Sequence, residues 1–183
     1  MNIFKSRIRN FMFGRIDGAM VDAEGSIDPA AEFRQLLWSQ ANATIRGGEA
    51  EISYNLHGEG LSLRGFADTS RGVLDNAGDL PLQPANRVGI DAGDKRGVWR
   101  SGVSVLRALQ QDRLATFETT VTPAYTQLDA NLSWTQRIGT TRLTWFAIAK
   151  NLLNEDIRLA TSVIKSVAPQ PGRSLIIGMR TRF

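Results

Sequence analysis

The chain holds one histidine and no cysteine, so a histidine-dependent catalytic or zinc site would have to use His57. It stands in His57-Gly58-Glu59-Gly60, where an adjacent carboxylate makes weak metal binding conceivable. A zinc site needs three or four protein ligands, and one histidine cannot supply them. A Ser-His-Asp arrangement would need His57 as its base, yet His57 falls in a short turn, away from any obvious nucleophile. The plainer reading is a solvated turn residue. The lack of cysteine excludes disulfides and thiolate or zinc-thiolate chemistry. Arg46-Gly47-Gly48 resembles the start of a phosphate loop, but no Gly-Lys-Ser/Thr follows, so the pair is expected to be a bend or bulge. No catalytic, cofactor or metal residue is expected. The 22 basic residues are scattered among 18 acids without a like-charge block, which argues against a nucleic-acid partner.

The remaining chemistry lies in charges and amides that alternate with apolar residues. Gln127, Asp129, Asn131 and Ser133 interleave with Leu128, Ala130, Leu132 and Trp134. At the C-terminus Leu175, Ile177, Met179, Thr181 and Phe183 interleave with Ser174, Ile176, Gly178, Arg180 and Arg182. Strand side chains alternate with period two, so each segment has one apolar and one polar face. A lone sheet of this kind needs a second sheet or lipid against its apolar face. No stretch approaches the ~18 to 20 apolar residues of a spanning helix, but barrel strands need only ~9 to 11 alternating residues.

Eight strands are expected, over 2–15, 34–56, 60–74, 86–95, 98–110, 124–137, 141–152 and 172–183. In the first, Ile8, Asn10 and Met12 should oppose Arg7, Arg9, Phe11 and Phe13. In the second, Ala50, Ile52, Tyr54 and Leu56 should oppose Glu49, Glu51, Ser53 and Asn55. Arg64 falls on the polar side of the third, with Ser62, Phe66 and Asp68. Trp145, Ile148, Ala149 and Leu152 also fit helical spacing, as do Val103, Leu106 and Leu109; regular strand spacing, Gly102 and β-branched residues favour strands. A short helix around Ala30-Ala31 or Leu36-Leu37 stays open. Glycine-bearing turns at 57–60, 93–97 and 137–140 alternate with long polar stretches at 17–33, 75–85, 111–123 and 153–171. Such alternation fits a barrel with short periplasmic turns and long extracellular loops.

Five pieces then occur in a telling order. They are Asn42-Ala43-Thr44-Ile45-Arg46-Gly47-Gly48-Glu49-Ala50-Glu51, Leu80-Pro81-Leu82-Gln83-Pro84-Ala85-Asn86-Arg87-Val88-Gly89, Tyr125 to Trp134, Lys150-Asn151-Leu152-Leu153-Asn154-Glu155-Asp156, and Ala168-Pro169-Gln170-Pro171-Gly172-Arg173-Ser174. With the terminal Phe183 they resemble the end of a TonB-dependent outer-membrane receptor, over roughly residues 34–183. The resemblance implies an all-β, antiparallel transmembrane barrel segment of about eight strands, from the C-terminal part of a plugged barrel of about 22. It implies the cell outer membrane, TonB-energised uptake of a metal chelate, haem or similar nutrient, and no enzymatic activity. Outer-membrane lipid, the TonB complex, a small nutrient ligand and the barrel-assembly machinery are the partners implied. Phe183, Met179 and Ile177 would form the assembly signal, and Asp129, Asn131, Arg180 and Arg182 would face the lumen. Arg64, Glu49 and Glu51 are placed there too. Trp134, Trp99, Tyr125 and Tyr54 are girdle candidates.

The stretch Met1 to Asn10 has no apolar signal-peptide core, and neither a plug domain nor a TonB-contacting box is recognised. Residues 1–183 are therefore expected to be a partial barrel domain, not transport-competent alone. The alternative is a self-contained small outer-membrane barrel with a structural or binding role.

Overall fold

The structure is a computed structural model that describes residues 1–15, 18–55, 59–75 and 78–183. His57 and Leu56 lie outside the described residues, with the expectations attached to them. No helix occurs among the described residues. The strands are β1 (Asn2–Arg15), β2 (Met20–Val21), β3 (Phe33–Arg34), β4 (Leu37–Asn55), β5 (Gly60–Leu74) and β6 (Gly78–Asp79). They continue as β7 (Arg87–Arg96), β8 (Trp99–Ala108), β9 (Tyr125–Ile138), β10 (Thr141–Lys150) and β11 (Ser174–Arg182). The main sheet runs β1-β4-β5-β7-β8-β9-β10-β11, with β6 on β5, while β2 and β3 form a separate ribbon. Every neighbouring pair is antiparallel.

All eight expected strands form, in chain order and each beside the next. Their ends differ for local reasons. The second begins at Leu37, because Phe33 and Arg34 pair with Val21 and Met20 instead. Neither Ala30-Ala31 nor Leu36-Leu37 is helical. The turn expected at 93–97 tightens to Gly97-Val98, and the next short one to Gly139-Thr140. Gly97 and Gly139 have φ of 57° and 61°. A positive φ at the first of two loop residues suits a hairpin whose twist matches its strands.

The strict alternation expected of β1 fails. Ile8 pairs with Ala43 but Phe11 with Ala41, so Arg9 and Asn10 together oppose Asn42. Asn10 has φ 53°, and its N–H donates to Asn42 Oδ1 at 3.2 Å. This bulge shifts the phase by one residue. Ile8 therefore shares a face with Phe11 and Phe13, while Met12 joins Arg7 on the other.

A second correction concerns Gly47-Gly48. Both lie inside β4 with unbroken register on each side, so they mark neither a bend nor a bulge. Phe4 lies over Gly47, and a Cβ there would meet its ring at 2.7 Å. The same pairing recurs across strands at Gly89 with Phe66 and at Gly178 with Phe146. In each case a bare glycine lets a ring lie flat on the polar face.

The registers assemble two faces. One carries Ile52, Ile90, Val103, Leu132, Leu175 and Ile177, all exposed, with Ile177 71% accessible. Buried side chains gather instead where the long connections meet the sheet. Phe13, Ala43, Leu74 and Leu80 make one cluster, and Ala108, Tyr125 and Ile157 another. There is no second sheet over the exposed apolar face among the described residues. The sheet is open: β1 and β11 each have a single neighbour, and no β1–β11 pairing closes it.

Candidate functional site

The opposite face is built from the other half of each alternation. Arg64 on β5 reaches Glu51 on β4 and Asp91 on β7, each at 2.9 Å. Asp91 also accepts from Ser104 Oγ at 2.5 Å, which extends the chain of contacts to β8. Arg64 lies 4.6 Å over the Phe66 ring, the ring that covers Gly89. Arg87 pairs with Asp68 at 3.0 Å, and Lys150 with Asp129 at 3.1 Å. Each bond links adjacent strands, so the charges stitch the sheet laterally.

Asp129 has a further role. It accepts the Asn151 N–H at 2.9 Å and two contacts from Gln127 Nε2 at 3.1 Å. The Asn131 amide lies over Gly102, where a Cβ would meet its Nδ2 at 2.8 Å. Arg180 stands opposite Thr144, and Arg182 opposite Arg142. Asp129, Asn131, Arg180 and Arg182 therefore share one face, together with Arg64, Glu49 and Glu51. Ile177 and Met179 point to the apolar face, and Phe183 follows the last strand, almost fully exposed. Tyr125 departs from its expected place in an aromatic girdle. It pairs with Ala108 and is buried against Ile157 on the polar side.

Over one end of this face the long connections form a bonded roof. Gln111, 1% exposed, donates to the Gln83 carbonyl at 3.0 Å. Gln83 Oε1 accepts the Gly72 N–H at 2.7 Å, which ties the roof to β5. Arg113 donates to the carbonyls of Ser70 and Pro84 and to Asn86 Oδ1. Glu118 accepts backbone N–H groups of Leu82 and Ala115, and Lys165 Nζ at 3.2 Å. That ion pair is buried and joins the connection after β8 to the one after β10.

Asn151 starts the latter connection. Its φ is 49° and that of Asn154 is 56°, a region asparagine enters more readily than most residues. Asn151 Nδ2 donates to the carbonyls of Glu155 and Pro171, and its Oδ1 accepts the Glu155 N–H. Asn154 Oδ1 accepts the Arg173 N–H, which aims the chain back into β11. The paired asparagines were visible in the sequence, but their role as a strand stop was not. Gln111, Arg113, Glu118 and Lys165 left no signal at all.

The other end of the polar face, beside the short turns, is an open hollow of about 1020 Å³ lined by Arg100, Arg137, Arg142, Arg180 and Arg182. The basic residues, scattered along the chain, are gathered here by the sheet. The arrangement presents charge and amides over a broad surface. Among the described residues it offers no group of three or more potential metal ligands.

A family model described as TonB dependent receptor-like, beta-barrel, matches residues 1–152. Among solved structures, the copper transporter OprC has a TM-score of 0.76 at 16% identity. The similarity covers 98% of this chain and 28% of that one, and at this identity it is a likeness of fold. No curated protein matches the sequence.

Proposed function

The chain belongs to the TonB-dependent receptors, through their β-barrel domain, and on that premise we propose that it forms a section of receptor wall in the cell outer membrane. The observation that supports this most is the placing of its tryptophans. All four project from the apolar face. Trp99, Trp134 and Trp145 lie in one row across β8, β9 and β10 near the short turns. Trp99 and Trp134 stack, with ring centroids 6.0 Å apart. Trp38 sits near the start of β4, beside the long connection. Aromatic rings at both margins of an apolar band suit the two interfaces of a bilayer. Lys5, Arg46 and Arg71 share a row on the same side of β1, β4 and β5, and Arg71 lies near the end of β5 where a long connection begins. Arg71 reaches Asp79 of that connection at 3.0 Å, as a long cationic side chain at a membrane boundary can.

In this arrangement the polar face lines the lumen, with Asp129, Asn131, Arg180 and Arg182 toward its interior. The long connections stand outside the cell and the short turns in the periplasm. The whole receptor takes up a scarce nutrient, such as a metal chelate or haem, with energy from the TonB complex, and the connections at 17–33, 75–85, 111–123 and 153–171 contribute ligand contacts. Ile177, Met179 and Phe183 present the strand that barrel-assembly machinery receives. This chain by itself is not transport-competent, because its sheet has two open edges. Nucleic acid has no part in the function.

Tryptophan fluorescence in bilayers tests the wall assignment. Brominated lipid should quench the tryptophans strongly, and aqueous iodide weakly. Quenching by iodide alone would remove the apolar face from lipid. The chain, given a signal peptide in a receptor-deleted strain, should support no TonB-dependent uptake; specific uptake would overturn the reading of incompetence.

A further inference from the structure

The apolar face carries a group of charges that a wall does not by itself require. Lys5 on β1 stands directly opposite Arg46 on β4, and Arg46 stands directly opposite Arg71 on β5. Arg7 lies two residues further along β1 on the same side. Arg71 is paired with Asp79 at 3.0 Å, while Lys5, Arg7 and Arg46 have no ion pair among the described residues. Like charges directly across a strand pair destabilise a sheet, and Arg46 meets one on each side. Both strands that flank Arg46 are present, so this crowding does not come from an open edge. A lone cation at a membrane boundary needs only water, whereas a cluster in register needs a counter-charge.

The level of the cluster says where that counter-charge lies. From Arg46 toward the short turn, the outward residues of β4 are Gly48, Ala50, Ile52 and Tyr54; in the other direction they are Thr44, Asn42 and Gln40. Arg46 to Tyr54 is nine residues, and a tilted strand crosses hydrocarbon in ~9 to 11. The cations therefore stand where the apolar stretch of β4 ends, at the depth of lipid headgroups. We propose that Lys5, Arg7, Arg46 and Arg71 form a binding site for one lipid headgroup that carries a phosphate monoester. Guanidinium groups bind phosphate through two parallel bonds, and clustered basic side chains beside a membrane-spanning element hold anionic headgroups. Two strand spacings across and two residues along make a patch of roughly 10 Å by 7 Å, which one headgroup can cover. The four cations and Asp79 leave a net positive charge, and a monoester brings about two negative charges to meet it. The inference rests on the wall assignment and names what the wall binds at this level.

The test uses the full chain folded in neutral detergent and titrated with tail-labelled phosphatidic acid. Binding should be tighter than for phosphatidylglycerol, whose phosphate diester carries a single charge. Replacing Lys5, Arg7 and Arg46 together with glutamine should lower affinity about tenfold or more, while lysine at Arg7 and Arg46 retains most of it. Replacing Arg137, Arg142 and Arg182 with glutamine removes as much charge from the opposite face and should leave affinity within about twofold. Arg46→Gln alone should weaken binding about fivefold, and it keeps the test open if the triple variant does not fold. Without lipid, Arg46→Gln should melt higher than the parent, because the repulsion is relieved; a lower melting point would mean that Arg46 serves the sheet, and would overturn the proposal. Equal losses in the two triple variants would mean bulk attraction and would overturn it too. So would equal affinity for the two lipids, or competition by inorganic phosphate or an acidic peptide equal to that of unlabelled phosphatidic acid. Tryptophan quenching by neutral brominated lipid reads the wall independently, so loss of headgroup selectivity with quenching intact counts against this site alone.

Discussion

Asn151 shows how much one side chain can fix. It is 2% exposed, stops β10, and makes three hydrogen bonds to backbone groups of its own connection. Alanine there would strip those partners and place a Cβ residue at positive φ. Asn151→Ala should cost about 2 to 4 kcal/mol, since buried groups left unpaired cost ~1 to 3 kcal/mol and the backbone strain adds to it. Asn151→Gly should recover about 1 kcal/mol of that loss by relieving the strain. Urea unfolding of detergent-folded chain checks both. Equal losses for the two variants would assign the whole effect to hydrogen bonding.

The strands act as two-faced elements, and the faces should respond differently to the same charge. Leu132 and Ser133 are adjacent on β9 but point to opposite sides. Leu132→Arg puts a charge on the apolar band and should cost about 2 to 4 kcal/mol near mid-bilayer. Ser133→Arg adds a charge to the polar face directly opposite Arg100 and should cost about 1 kcal/mol at most, less than the charge on the apolar band. Folding yield into lipid vesicles, followed by resistance to protease, compares them directly. Similar yields would deny that the apolar face meets lipid. The bulge at Arg9 and Asn10 is the element-scale device that sequence periodicity overlooked. It lets Phe13 join the buried cluster of Ala43, Leu74 and Leu80, and it leaves Met12 outside.

At the scale of the whole molecule, the open sheet decides what the chain can do. The outer edges of β1 and β11 present backbone N–H and C=O groups to no neighbouring strand. In hydrocarbon each such group costs several kcal/mol, so a spanning sheet has to be completed by further strands. Eight strands suffice to close a small barrel in principle, which makes closure a measurable alternative. The chain has no native cysteine, so engineered pairs give a clean signal. Ser6→Cys on β1, combined in turn with cysteine at Ser174, Ile176 or Gly178 on β11, should form no disulfide within one chain. Bonding needs Cα atoms within about 7 Å. Efficient intrachain bonding would show a closed eight-strand barrel.

The sequence by itself determined the strands, their order and most of their faces. Period-two alternation is a local property, as Leu128 to Trp134 show, and each short turn forces the next strand to lie alongside. Where the local pattern was interrupted, it misled. One extra residue moved Ile8 to the side of Phe11, and Gly47-Gly48 continued a strand because Phe4 came across to cover it. Only the tertiary structure decided what the polar face holds. The partners of Arg64 lie 13 and 27 residues away, and the Lys165–Glu118 pair spans 47. Arg100, Arg137, Arg142, Arg180 and Arg182 look dispersed along the chain, but antiparallel pairing sets them side by side. Register converts sequence distance into strand spacing, and that conversion exists only once the sheet has formed.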